Sequence, residues 1–298
     1  MSVKLAERVA KLKPSASIAA RKKVTELQAA GRHIIDFTIG EPDFETAPHI
    51  VEAAIAAMRN GETHYTPTAG TAALRQAICA KLERENELHY KPANVAVGCG
   101  AKQLIFEAFS ATLDQGDEVI VPAPYWVSYP DIVQLNGGTP IFVACGENVD
   151  FKLTPDALDA AITPQTRWLI LNSPNNPTGA VYSRDEIKRL TDVLQRHPHV
   201  WVMSDDIYEH LVYAPEGRSN CISIDPSMMD RTLIINGLSK TYAMTGWRIG
   251  YAVGPVELIE PIAKLLGQST TCANSVSQAA AVAALNGDHS RVREGTKL

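Results

Sequence analysis

The sequence predicts an α/β fold in which a mostly parallel, mixed sheet is sandwiched by helices. Three observations support it: seven apolar runs of strand length, helical patterns between several of them, and a 45% hydrophobic content over 298 residues, enough for one large core and part of a second. Strands that alternate with helices imply a parallel sheet covered on both faces. Ligands of such sheets gather at the carboxyl ends of the strands.

The predicted strands are rich in Val, Ile or Leu and are bounded by turn residues. They span residues 95–97, 118–121, 140–143, 168–171, 200–203, 233–235 and 249–253. Between the first two, residues 101–113 have the apolar spacing of a helix whose buried face is formed by Leu104, Ile105, Ala108 and Phe109. A second helix starts after Ser183, which stands in capping-box spacing with Glu186. The alanine-rich residues 279–285 predict a packed helix too short to span a membrane.

Composition excludes several functional classes. The net charge of −5 argues against a nucleic-acid partner, and the mixed N-terminal sequence MSVKLAERVAKLKPS is not a secretory signal. The cysteines form no C-x-x-C pair, which predicts reduced thiols, a cytoplasmic location and no metal site; they are Cys79, Cys99, Cys145, Cys221 and Cys272. His197 and His199 lie just before a strand, where we expect a loop role.

Glycines follow the first strand, in the sequence GCGAKQ. Gly98 and Gly100 could begin a dinucleotide fingerprint, but that motif requires a third glycine where this chain has Gln103. Glycines at a helix start also let the backbone amides approach an anion. We therefore favour a site for a single phosphate.

Aromatic and amide side chains follow two further strands. Tyr125 and Trp126, in PAPYWVSYP, either pack at the rim of the core or stack on a ligand. Asn172, Asn175 and Asn176, in NSPNNPTG, either form a turn or hold a hydrogen-bond donor in a proline-stiffened loop.

Two carboxylates and a tyrosine follow the strand at 200–203, in SDDIYEH. Asp205 and Asp206 could serve as metal ligands, as general acid and base, or as a helix cap, and their spacing does not choose among these roles. For Asp206 we expect a cap or a solvent-facing position. Tyr208 lies close behind them.

The segment NGLSKTYAMTGWRIGY carries Lys240 and Arg248 on either side of a turn. A Walker phosphate loop is excluded, because that motif has glycine directly before the lysine and this chain has Ser239 there. Pyridoxal phosphate would use all these groups, since its phosphate binds amides and a guanidinium, its ring an aromatic face, its pyridine nitrogen a carboxylate and its aldehyde an amine. Burial and neighbouring cations would lower the pKa of Lys240 and make neutral amine available.

Six ordered segments resemble those of the class I/II pyridoxal-phosphate aminotransferases, and most resemble the bacterial aspartate/prephenate branch. They are GEPDF, THYTPTAG, PYWVSYP, NSPNNPTG, SDDIYEHLVY and SKTYAMTGWRIGY. Because they occur in order along nearly the whole chain, chance is a poor explanation. The resemblance implies the large domain of a fold type I pyridoxal-phosphate transferase.

The resemblance implies roles for five residues around the cofactor ring. Lys240 corresponds to the lysine that forms the Schiff base and then moves a proton between the substrate Cα and the cofactor. Asp205 corresponds to the carboxylate on the pyridine nitrogen, and Tyr208 and Asn176 to donors to the ring oxygen. Trp126 corresponds to the stacked aromatic, and both Trp126 and Asn176 are also candidates for substrate contact.

The resemblance also implies a phosphate site. Arg248 corresponds to a phosphate ligand, and Ala101 with Lys102 to the amides at the helix start. The family often has a serine where this chain has Gly237, and Ser239 is the candidate to replace it.

The remaining implied contacts involve the substrate and a second subunit. Tyr65 corresponds to a tyrosine that reaches the phosphate of the neighbouring subunit, which implies a homodimer with shared active sites. Gly40 corresponds to a substrate-contacting backbone position. Lys13 resembles the basic residue that this branch uses on a distal carboxylate.

We expect residues 1–45 to form an N-terminal arm and the start of a small domain, 46–290 the large cofactor-binding domain and 291–298 a tail. The sequence at the end of the chain, DHSRVREGTKL, is typical of a polar tail. The family continues for about one hundred further residues that complete the small domain and carry the arginine for the substrate α-carboxylate. We therefore expect a fragment whose small domain is incomplete.

The expected reaction is a ping-pong transamination between an aspartate- or glutamate-like amino acid and a 2-oxo acid. Two alternatives are a β-lyase on the same scaffold and a dimeric, cofactor-binding chain without activity.

Overall fold

The protein, described by a computed structural model for residues 3–10, 16–213 and 220–295, is built on one seven-stranded sheet. The strands are β1 Val95–Gly98, β2 Glu118–Ala123, β3 Thr139–Ala144, β4 Thr166–Asn172, β5 Trp201–Asp205, β6 Thr232–Gly237 and β7 Gly250–Val253. Their order is β1-β7-β6-β5-β4-β2-β3. Strand β7 is antiparallel to both neighbours, and the remaining pairs are parallel. The predicted mixed sheet is confirmed.

Helices account for most of the remaining regular structure. They are α1 Glu7–Ala10, α2 Ala16–Ala29, α3 Pro48–Arg59, α4 Ala72–Asn86, α5 Ala101–Thr112, α6 Ser128–Leu135, α7 Pro155–Ala161, α8 Arg184–Arg196, α9 Cys221–Ile224, α10 Val256–Ser269, α11 Ser275–Asn286 and α12 Ser290–Gly295. Among the described residues, none of these helices is long and apolar enough to cross a membrane.

Helices cover both faces of the sheet because successive strand residues point to opposite sides. In β4, Trp168 and Ile170 pack in the cluster that contains residues of α5, α6 and α10. Leu169 and Leu171 pack on the other face, with residues of α7 and α8. Further along that second face, α3, α4 and α11 cover β1 and β7.

Two helices form as the sequence predicts. The predicted apolar face of α5 is buried throughout. At the start of α8 the Ser183 hydroxyl accepts from the Glu186 amide, and the Glu186 carboxylate accepts from the Ser183 amide, so the capping box is complete.

The polar stretch after residue 287 was expected to be a tail, but its residues Ser290–Gly295 form helix α12. Asp288 explains its start, because its carboxylate accepts from both the amide and the hydroxyl of Ser290. Val292 then packs against the cluster that contains α3, α4 and α11. One apolar residue in a polar sequence gave too weak a periodic signal to predict this helix.

Gly250 allows the first turn of α5 to pack against the start of β7. A Cβ added to Gly250 would lie 2.3 Å from the Ala101 nitrogen and 2.5 Å from the Gly100 carbonyl carbon. We expect Gly250→Ala to lower the free energy of unfolding by about 1–3 kcal/mol, because backbone must move to admit the methyl group. Urea denaturation measures the effect. Gly246→Ala is the control, since a Cβ there meets nothing within 4 Å; an equal loss in both variants would contradict the prediction.

Candidate active site

The candidate residues follow strand ends that lie along one edge of the sheet. Asn172 at the end of β4 is in register with Asp205 at the end of β5, and Asp205 with Ile235 in β6. Gly250, the first residue of antiparallel β7, is in register with Gly98 and Gly237, the last residues of β1 and β6. The loops after β1, β4, β5 and β6 therefore leave the sheet as neighbours.

The partly buried amine of Lys240 is held near the N-terminal part of the chain. Its Nζ donates to the Gly40 carbonyl at 2.5 Å. Burial lowers the pKa of Lys240 and the Arg248 charge lowers it further, while Glu41 acts in the opposite direction. Glu41 is fixed by the Thr245 hydroxyl, which donates to it at 2.8 Å. A lowered pKa increases the fraction of neutral, nucleophilic amine.

Asp205 is a buried carboxylate with two hydrogen bonds. The Tyr129 hydroxyl donates to Oδ2 at 2.5 Å and the Ile207 amide to Oδ1 at 3.3 Å. Burial raises the pKa of Asp205 to about 6, and these donors oppose that rise. Burial of a carboxylate without a full cationic partner is costly, so the site favours a ligand that brings positive charge.

Sequence reasoning did not single out Tyr129, although the segment PYWVSYP contains it. Its ring packs edge-to-face on Trp126, with centroids 5.3 Å apart. Tyr129 lies in the first turn of α6, and its amide donates to the Trp126 carbonyl at 3.1 Å. The three-residue spacing of the two aromatics was therefore the available signal.

Asn176 and Tyr208 meet between two loops. Asn176 Nδ2 donates to the Tyr208 hydroxyl oxygen at 3.1 Å. Asn172 fixes this pair, because its Oδ1 accepts from the Asn176 amide at 2.8 Å and its Nδ2 donates to the Asp205 carbonyl at 2.9 Å. Asn172 had been recognised only as one of three loop amides, and the structure gives it this connecting position.

Arg248 lies beside the start of α5. A Cβ on Gly100 would come within 2.5 Å of Arg248 Nη2, and that nitrogen lies 3.4 Å from the Cys99 carbonyl oxygen. Arg248 has a φ of 56°, a strained conformation of the kind that concentrates at functional sites. Ala101 and Lys102 are the first residues of α5, whose amides have no acceptor within the helix. Guanidinium and amides together offer donors to an anion.

Lys102 also contributes its side chain, which the sequence did not indicate. Its Nζ lies 4.8 Å from the centroid of the Trp126 ring, within cation–π range. Burial, and then the Arg248 charge, lower the pKa of Lys102. The face of Trp126 is thus tied to the same end of α5 as Arg248.

Two expected site residues, Ser239 and Tyr65, have no contact with these groups in the described part of the chain. Ser239 is partly buried, and its carbonyl accepts from the Met244 amide at 3.2 Å. Tyr65 is 88% exposed, so within this chain it packs against little. Lys13 lies outside the described residues.

The expectation for Asp206 was wrong. It is buried, and its carboxylate accepts from the Ser204 hydroxyl at 2.7 Å. Its amide donates to the Ile235 carbonyl, which extends the β5–β6 pairing by one residue and turns the Asp206 side chain to the opposite side from Asp205. Burial, then the Glu209 charge, raise the pKa of Asp206 to about 8.

The expected loop role of His197 is confirmed. It directly follows the last residue of α8, and its Nε2 lies 2.8 Å from an Asp159 carboxylate oxygen. Within ranges 3–10, 16–213 and 220–295, no three His, Cys, Asp or Glu side chains are grouped as a metal would require.

Comparisons with known proteins find relatives over nearly the whole chain. The family described as Aminotransferase class I and II matches residues 32–298. A probable aspartate/prephenate aminotransferase of Rhizobium leguminosarum bv. phaseoli is 52% identical over 294 residues, 99% of this chain and 74% of that protein. The aspartate/prephenate aminotransferase of Cereibacter sphaeroides is 55% identical over 283 residues, 95% of this chain and 71% of that protein.

Solved structures share the fold. The aspartate aminotransferase from Rhizobium meliloti superimposes with a TM-score of 0.97 at 46% identity, covering 99% of this chain and 74% of that one. The Thermus thermophilus aspartate aminotransferase with maleate gives a TM-score of 0.91 at 42% identity, covering 99% and 75%.

Proposed function

This chain belongs to the class I and II aminotransferases, as its ordered motifs predicted, and we propose that it uses pyridoxal phosphate to transfer an amino group from an aspartate- or glutamate-like amino acid to a 2-oxo acid. One observation carries the proposal. The Lys240 amine, with its lowered pKa, lies on the same sheet edge as the buried Asp205 carboxylate and the Arg248 guanidinium. Aspartate as a substrate follows the names of the relatives, and the glutamate-like alternative follows the resemblance of Lys13 to a residue that binds a distal carboxylate.

The residues present fit this cofactor. Arg248 and the first amides of α5 provide donors for a phosphate, and the missing Cβ of Gly100 lets the Arg248 guanidinium lie beside the start of α5. Trp126 offers an aromatic face, and Asp205 offers a buried carboxylate for a protonated pyridine nitrogen. Every part of the cofactor has a chemically matched group.

Pyridoxal phosphate, when bound, supplies an aldehyde that condenses with amines and a ring that withdraws electrons from a bond at the substrate Cα. Lys240 would attack as the neutral amine and would then remove and return the Cα proton. The Asp205 carboxylate would hold the ring nitrogen protonated. Tyr208 and Asn176 would donate to the ring oxygen and orient the ring.

The direct test is to add pyridoxal phosphate to the purified chain and follow visible absorbance. We expect a new band that changes when aspartate or glutamate is added, with the matching 2-oxo acid as product. Borohydride reduction followed by peptide mapping should place the label on Lys240. Release of ammonia and pyruvate from a cysteine conjugate, which has a leaving group on its β carbon, would instead indicate a β-lyase. No new band with pyridoxal phosphate would contradict the proposal.

Arg248→Lys tests the phosphate site. Lysine keeps the charge but loses the planar fork, so we expect cofactor affinity to fall about 10- to 100-fold, the equivalent of about 1.5–3 kcal/mol. Fluorescence titration with pyridoxal phosphate measures the dissociation constant. Arg167→Lys is the matched control, because Arg167 pairs with Asp117 at the opposite end of β4; equal weakening by both variants would refute the assignment.

We also propose a homodimer in which Tyr65 reaches the phosphate of the partner subunit. The 88% exposure of Tyr65 within one chain supports this, since a tyrosine in a functional motif would then gain its contacts from a second copy. Sedimentation equilibrium tests the assembly. A monomer at cofactor-saturating conditions would contradict it.

A further inference from the structure

Helix α4 carries a buried ammonium group outside the candidate site. Lys81, in α4, is 1% exposed, yet it has no place among the cofactor ligands proposed above. Its Nζ donates to Asn86 Oδ1 at 2.8 Å and to Glu209 Oε1, and lies 3.7 Å from Glu85 Oε2. The three N–H bonds of the ammonium thus face three oxygen atoms.

Glu209 is the centre of this network. Its Oε1 also accepts from Asn236 Nδ2 at 2.7 Å, and its Oε2 accepts from Asn86 Nδ2 at 2.9 Å. Burial alone would raise the pKa of Glu209, but Lys81 and then His210 hold it at about 2. We refer to Lys81, Asn86, Glu209 and Asn236 as the Lys81 cluster.

The Lys81 cluster joins the two segments that carry the proposed catalytic groups. Glu209 directly follows Tyr208, and its amide donates to the Asp206 carbonyl within the turn after β5. Asn236 is the next-to-last residue of β6 and stands four residues before Lys240. Its Oδ1 accepts from the Gly237 amide at 2.7 Å.

A second connection runs parallel to the first. His210 Nε2 lies 2.9 Å from Glu85 Oε2 in α4, and His210 Nδ1 lies 3.2 Å from the hydroxyl of Thr241, the residue after Lys240. Helix α4 therefore contacts Glu209 and His210, directly after Tyr208, and these two residues in turn contact Asn236 and Thr241 on either side of Lys240.

Stability alone does not explain this network. A buried ion pair gains little net free energy because both ions lose their hydration, and apolar side chains of similar volume stabilise as well or better. Helix α4 already buries Leu74, Ile78 and Leu82. What directional bonds add is a fixed relative position of the elements that they join.

We propose that the Lys81 cluster is a positioning device that fixes Tyr208 relative to Lys240 for the amino-transfer reaction. This inference rests on the proposed function. Loosening the cluster weakens the hydrogen bond from Tyr208 to the ring oxygen of the cofactor. Without that donor the ring oxygen of the cofactor becomes more basic. The pH at which the visible absorbance of the bound cofactor is half changed therefore rises.

Glu209→Gln tests the proposal in the cofactor-loaded enzyme. We expect kcat to fall at least about tenfold with KM changed less than about threefold, and the absorbance midpoint to rise by at least about 0.5 pH unit. Glu186→Gln is the matched control, because it also removes a carboxylate bound to a lysine, Lys152, but in α8. It should leave the midpoint unchanged.

The double variant Lys81→Met with Glu209→Gln removes both charges and avoids an unpaired ammonium if the single variant fails to fold. It should fold and show the same raised midpoint and lowered kcat. A wild-type midpoint and kcat in this variant would overturn the positioning role. Absence of a cofactor band in the wild-type protein would instead overturn the proposed function.

Discussion

Lys240→Ala should lower the rate of amino transfer by about three orders of magnitude or more, because it removes both the nucleophilic amine and the proton-transfer group. The variant should still bind pyridoxal phosphate, since Arg248, Trp126 and Asp205 are retained, but the bound cofactor should no longer become attached to protein by borohydride. Mass spectrometry after reduction distinguishes these outcomes. Lys264→Ala, an exposed lysine of α10, is the control and should retain rate and label.

The magnitude of this effect follows from the environment of Lys240. A solvated lysine is almost fully protonated at neutral pH, whereas burial and the Arg248 charge lower the pKa of Lys240. To substitute for Lys240, another lysine would have to supply a neutral amine at the position that Lys240 holds three residues after the end of β6. Retained activity with a label on another lysine would refute the assignment of Lys240.

Much of the fold could be predicted because the strand and helix signals are local. Continuous apolar runs marked the strands, and the spacing of Leu104, Ile105, Ala108 and Phe109 marked α5. The rule that parallel strands present their carboxyl ends along one edge then placed Asp205 and Asn172 side by side, and the register confirms that they are neighbours.

Long-range pairs could not be predicted in this way. Lys81 and Glu209 are 128 positions apart, and Tyr129 and Asp205 are 76 apart. No local pattern identifies such partners, because in the sequence each of these residues is indistinguishable from an ordinary surface or core residue. The error on Asp206 has a related cause, since its burial depends on a backbone hydrogen bond to Ile235, 29 positions away in the sequence, that continues the pairing past the end of β5.

Asp205→Asn should change the pH dependence of stability in the cofactor-free protein. Burial raises the folded-state pKa of Asp205 to about 6, so the folded state binds a proton more tightly than the unfolded state. This contribution to stability is complete below the unfolded pKa, near 4, and is lost as pH rises through about 6. Asparagine does not titrate, so the variant should lose less stability than wild type across this window in urea denaturation.

The same Asp205→Asn variant should lower the rate of the loaded enzyme by about 100- to 1000-fold, the scale seen when one preorganised electrostatic contact at a reacting group is removed. Asparagine keeps the shape of the side chain but cannot balance a protonated ring nitrogen. Asp206→Asn is the neighbouring control. Its carboxyl is also buried with a raised pKa, so it should alter the stability profile, at higher pH, without a comparable loss of rate. Equal rate losses in both variants would mean that burial of a carboxylate, and not its contact with the cofactor, determines the effect.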